Sequence, residues 1–110
     1  MDTIYALSTA QGKAGVAVIR VSGPLAFHAC EALSGDVPAR RYAVVRTLRD
    51  LDGLHLDDAL VLTFGRDASF TGEDVVEFQS HGSTAIIASI LRVLGEIEGL
   101  RAAEPGEFTR

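Results

Sequence analysis

The segment Val16–Val21 reads VAVIRV, a β-rich run that is apolar on both faces of a strand except at Arg20. Side chains alternate across a strand, so Arg20 shares a face with Val16 and Val18. Val75–Ser80, VVEFQS, repeats the arrangement with the opposite charge. There Glu77 shares a face with Val75 and Gln79, while Val76, Phe78 and Ser80 share the other. Charges are rarely buried without a partner. Arg20 and Glu77 must therefore lie at an edge or exposed face, pair with each other, or face something polar. Spacing alone leaves these alternatives open.

The surrounding chain supplies the rest of a sheet and two helices. Thr3–Ser8 reads as a strand joined to Val16–Val21 through Gln11-Gly12-Lys13-Ala14-Gly15, which predicts a hairpin. Ser22-Gly23-Pro24 predicts a helix start, with Pro in the first turn and Ser or Gly as the cap. That helix carries Ala26, Cys30 and Leu33 on one side and stops near Gly35. After a linker, Tyr42–Leu48 and Ala59–Phe64 read as strands around the turn chemistry of Asp50-Leu51-Asp52-Gly53. Beyond Val75–Ser80, Ser83 is placed to cap a helix from Thr84 to about Glu98. Its Ile86, Ile87, Ile90, Leu91, Leu94 and Ile97 recur at helical spacing. Gly99 ends it, and Leu100–Ala103 is a candidate for one more short strand. The order β-β-α-β-β-β-α predicts one small α+β domain over residues 1–110, with helices on a mostly antiparallel sheet.

Composition adds a constraint. The chain has 110 residues, 47% hydrophobic, no Trp and a mean hydropathy of +0.22. That is more apolar surface than a small domain readily hides, which predicts a subunit or domain interface; the plainer reading is an ordinary Ala-rich core. A net charge of −5 gives no general footprint for phosphate backbones, so direct nucleic-acid binding is not expected of this domain. Arg40-Arg41 reads as a solvated strand start. Cys30 is the single cysteine, which excludes an intramolecular disulfide and reads as a small buried thiol. His28, His55 and His81 lack the spacing of a metal-binding helix. No signal peptide and no run of membrane length is present, so no membrane association is expected and a cytoplasmic location is the default.

Few residues suggest chemistry. SFTGEDVVEFQSHGS places Glu73, Asp74 and Glu77 within five residues. Thr71-Gly72 forms a turn, and Glu73 and Asp74 are expected in solvent before the strand. His81-Gly82-Ser83 is a strand-to-helix junction whose amides favour an anion; His81 either hydrogen-bonds that loop or touches a substrate. The chain has no G-x-x-x-x-G-K-[ST], G-x-G-x-x-G, nucleophile elbow or H-E-x-x-H, and nothing in it reads as a catalytic centre.

Taken together, MDTIYALST, GVAVIRVSGP, SFTGEDVVEFQSHG and PGEFTR resemble, in order and spacing, the N-terminal domain of the tRNA-modification GTPase MnmE (TrmE) family. The resemblance covers essentially the whole chain. It implies half of a folate-binding fold similar to that of the glycine-cleavage T protein, completed by homodimerisation. It also implies a bound 5-formyltetrahydrofolate or 5,10-methylenetetrahydrofolate. In the intact family protein a flavoprotein partner, MnmG (GidA), joins in modifying the wobble uridine of tRNA with a folate-borne one-carbon unit. By the motif match, Arg20 and Glu77 fall on folate-contacting positions, which makes Glu77 the ligand-facing acid and leaves Glu73 and Asp74 to shape its loop. A pterin edge presents adjacent N–H donors, which a carboxylate accepts as a fork, and Arg20 suits pterin or formyl oxygens or a tail carboxylate.

Three departures bear on that expectation. The first turn is AQGKAG, and the family's HGG is HGS at His81–Ser83. The chain ends at Arg110, before a family stretch holding a further folate-contacting lysine. The helical domain and the G domain, which takes GTP with Mg and K, lie outside it, so no GTPase activity is expected of these residues alone. The rival expectation is a structural dimerisation module whose folate site is disabled by the missing lysine. A small aminomethyltransferase-like enzyme is disfavoured by the lack of a nucleophile or acid–base pair.

Overall fold

The computed structural model describes residues 2–8, 15–69 and 72–109. Its strands are β1 (Thr3–Leu7), β2 (Val16–Ser22), β3 (Val44–Arg49), β4 (His55–Phe64), β5 (Val75–His81) and β6 (Leu100–Ala102); its helices are α1 (Ala26–Ser34) and α2 (Thr84–Glu96). The strands form one sheet in the order β3-β4-β5-β2-β1-β6. β6 pairs parallel with β1 and every other neighbouring pair is antiparallel, so this single α+β domain has a mixed sheet. The connection expected to close the β1–β2 hairpin, residues 9–14, lies outside the described residues, as do Phe70 and Thr71.

Both helices pack on one face of the sheet. Ile19 and Val21 of β2, Val61 of β4, and Val76 and Phe78 of β5 share that face and are fully buried, against Ala26, Ala29, Cys30 and Leu33 of α1 and Ile90, Val93 and Leu94 of α2. The two-residue period dictates the consequence: Val18, Arg20, Glu77, Gln79, Leu60 and Leu62 point to the other face, away from α1 and α2.

Helix ends follow local chemistry, with two corrections to the sequence reading. Ser22 does not cap α1: it is the last residue of β2, and Pro24 precedes the first helical turn. Gly23 turns the chain there at φ +137°, where an added Cβ would lie 2.6 Å from Thr3 Cα. Thr3 Oγ1 then accepts the Leu25 N–H at 2.9 Å, so a residue of β1 does the work expected of a local cap. Ser83 does cap α2, its Oγ accepting from Ile86 N at 3.1 Å. The second correction is that α2 stops at Glu96. Ile97 turns extended with 6% exposure, and Gly99, at φ +93° against Leu25, directs Leu100 into β6.

Candidate functional site

Arg20 and Glu77 stand directly opposite each other in the β2–β5 ladder. On the uncovered face they form an ion pair, Nη2 to Oε2 at 2.6 Å and Nε to the same oxygen at 3.1 Å. Among the described residues, Glu77 Oε1 accepts no hydrogen bond. The side chains retain 36% and 18% of their exposure, so the pair is shielded by the sheet yet reachable from outside. Of the alternatives that spacing left open, the pairing and the open face are both realised. The charges satisfy each other without a ligand, while one carboxylate oxygen stays available.

The pair forms one wall of a cavity of about 380 Å³, lined also by Phe64, Ala68, Ser69, Val75 and Phe108. A second cavity, about 440 Å³, lies beside it and shares Arg20 and Phe108. The first volume is at the lower end of the roughly 300–1,000 Å³ found for small-molecule sites. Apolar and aromatic walls with one charged edge suit a flat ring carrying N–H donors on its rim. Ser69 Oγ donates to the Glu73 carbonyl, so it is engaged within the loop. The described lining contains no nucleophile paired with a base.

Glu73 and Asp74 are not the solvated turn residues that local spacing suggests; they hold the loop, the role left to them by the motif match. Both are half-buried. Glu73 Oε1 accepts from Ser22 Oγ at 3.0 Å, and Asp74 Oδ1 accepts from Arg66 N at 3.0 Å. The Asp74 carbonyl accepts the Gly23 N–H at 3.0 Å. These bonds tie the loop that carries Ala68 and Ser69 to the end of β2, which shapes the cavity rim.

His81 joins a different group. Asp57, 6% exposed, accepts the His81 backbone N–H at 2.8 Å and lies 2.9 Å from its Nδ1, while the ring is 69% exposed. Four residues along β5 separate it from Glu77, roughly 13 Å at strand rise. It does not line the Arg20–Glu77 cavity. The histidine that the sequence left between a loop bond and substrate contact is held by Asp57.

Sequence reasoning singled out neither Phe64 nor Phe108. Phe64 reads as an ordinary strand end. Phe108 sits in PGEFTR, where its position in a recognisable motif was the available signal. It lies on a three-residue 3-10 turn, Glu107–Thr109. Arg101 secures that turn: Nη1 donates to Glu107 Oε1 at 2.9 Å, Nη2 donates to Oε2, and Nε donates to Asp2 Oδ2 at 2.9 Å. These hydrogen bonds, Glu107 foremost and then Asp2, raise the guanidinium's affinity for its proton above the usual arginine range.

Comparison with known proteins gives a consistent result. The family model described as GTP-binding protein TrmE N-terminus matches residues 3–110. The chain is 63% identical over 111 residues to the tRNA modification GTPase MnmE of Ruegeria pomeroyi, 57% over 110 residues to that of Dinoroseobacter shibae and 55% over 112 residues to that of Parvibaculum lavamentivorans. Each alignment covers 100% of this chain and 26% of the relative. The chain thus spans about a quarter of the length of these relatives.

Proposed function

The chain belongs to the TrmE N-terminal family, and from that premise we propose that it is a tetrahydrofolate-binding and homodimerisation module of a cytoplasmic tRNA-modifying GTPase. The observation that carries the folate reading is the Arg20–Glu77 pair at the wall of the 380 Å³ cavity, with Glu77 Oε1 open beside Phe64 and Phe108. Glu77 accepts an N–H donor of the pterin edge at its open Oε1, and Arg20, next to it, addresses a ring or formyl oxygen. The folate supplies the one-carbon unit. This chain's residues bind the ring and fix its orientation, and GTP hydrolysis belongs to the rest of the intact protein. The ring takes the first cavity, and the tail extends into the adjoining one, along the open sheet face or into a second copy.

Dimerisation is supported by that same face, where Val16, Val45 and Leu60 keep 52%, 64% and 38% of their exposure. Aliphatic side chains on neighbouring strands with no covering layer mark an interaction surface. The T-protein-like half-fold, the flavoprotein partner and the wobble uridine of tRNA follow from family membership and are part of the same proposal.

One observation favours a second reading. Because Arg20 and Glu77 satisfy each other, they can serve as a structural cross-strand pair in a module that only dimerises. Calorimetric titration of the 110-residue chain with 5-formyltetrahydrofolate separates the two. The folate reading expects saturable binding with one ring per cavity. No heat at millimolar ligand, with the dimer intact by light scattering, supports the structural module instead.

A further inference from the structure

We propose that Phe108 is the ring-selecting wall of the cavity and that Arg101 is the positioning residue that holds it there, acting through Glu107. The identity of the ring rests on the folate reading; the positioning does not. The strands place most of the polar and aromatic lining: Arg20 and Glu77 come from the centre of the sheet and Phe64 from the end of β4, positions set by the ladder. Ala68 and Ser69 come from the loop after β4. Phe108 arrives differently. Its turn has three residues and is closed by Glu107 N donating to the Glu104 carbonyl at 3.0 Å, far too short a helix to persist unaided.

Among the described residues, Arg101 grips the turn from the sheet. Arg101 occupies β6, opposite Ile4 of β1, and its fork takes both oxygens of Glu107 while its Nε reaches Asp2. Glu107 Oε1 also accepts the Glu104 N–H at 2.8 Å, so one carboxylate joins the start of the turn to the sheet edge. A guanidinium gripping a carboxylate with two parallel bonds fixes orientation as well as distance. At 39% exposure such a pair contributes little to overall stability, and its effect is local geometry. The side chain after Glu107 is thereby placed where it lines both the ring-sized cavity and its neighbour. A flat π-face there favours a planar ligand over a branched one of equal volume.

The chain contains no Trp, so Phe108→Trp introduces a sole indole reporter. Arg101→Gln in that background should red-shift the emission and lower its anisotropy while the unfolding midpoint holds; an unchanged signal overturns the positioning role, with or without ligand. For ring selection, Phe108→Ala should weaken 5-formyltetrahydrofolate binding roughly 5- to 100-fold, as expected for loss of ring stacking. Phe108→Tyr should stay within about threefold, and Arg101→Gln should lose affinity that is not additive with Phe108→Ala. p-Aminobenzoylglutamate, which lacks the pterin, should bind all variants alike. If the unmodified chain binds no folate, the folate reading falls and the indole measurement still decides the positioning. If it binds folate and Phe108→Ala binds equally well, ring selection by Phe108 is wrong and the folate reading stands.

Discussion

On the face of the sheet that α1 and α2 cover, Ile19, Val21, Val61, Val76 and Phe78 have no exposure at all. One residue away along the same strands, the opposite face carries Val16, Val45 and Leu60 in the open, with Arg20 and Glu77 between apolar neighbours. Folding explains the first face well, because its large apolar side chains are buried in one core with α1 and α2. It explains the second poorly, since an uncovered face needs neither aliphatic residues nor a cross-strand ion pair. Part of the excess of apolar residues in the composition lies on this face, the same one that carries the Arg20–Glu77 pair. What folding does not require on that face is available for binding.

The difference can be tested by breaking each face separately. Phe78→Ala on the covered face should cost about 3–5 kcal/mol, as large core truncations do. Against a total of about 5–15 kcal/mol for a domain, urea denaturation should move sharply or reveal an unfolded chain. A small loss would mean that the core is not where the burial places it. On the open face, Val45→Asp should leave the monomer's unfolding free energy within about 1 kcal/mol. It should weaken self-association by at least about tenfold, read by sedimentation across a dilution series. A monomer destabilised by that change would show that the open face also serves folding.

Two smaller effects sharpen the boundary between the faces. Glu73→Gln disturbs the bond from Ser22 at the cavity rim. It should lower stability by about 1 kcal/mol and change folate affinity by less than about threefold. Cys30, under α1, is pushed above its ordinary pKa of 9.0, chiefly by burial. A raised folded-state pKa means that its contribution to stability is fully present below the unfolded value and is lost as pH rises through the folded one. The thiol should therefore alkylate slowly in the native chain at pH 8. Unfolding free energy should decline above about pH 9, a decline that Cys30→Ala reduces. Rapid native-state alkylation would place Cys30 outside the core.

Much of this was legible residue by residue. The alternation in VVEFQS put Phe78 and Glu77 on opposite faces, and Ser83 announced its helix. The helical spacing from Ile87 to Leu94 fixed the buried side of α2. What was not legible depends on long-range pairing. That β2 lies beside β5, bringing Arg20 onto Glu77, follows from a register linking residues 57 apart in sequence. The cap on α1 came from Thr3 rather than Ser22 for the same reason, since a partner supplied by another strand leaves no local pattern. Asp57 and Phe108 were missed because one looks like a turn acid and the other like a chain-end aromatic until the fold gives each its neighbour.

The central claim is that Glu77 faces a ligand, and calorimetric titration of 5-formyltetrahydrofolate into the chain and into Glu77→Gln tests it most directly. Glu77→Gln keeps the shape and places an amide donor against the ligand's N–H donors. Hydrogen bonds to charged groups are worth about 1.5–3 kcal/mol, so binding should weaken roughly 10- to 100-fold while the dimer persists. Equal affinity for both proteins would contradict the account and leave Arg20–Glu77 as a cross-strand pair with a structural role alone.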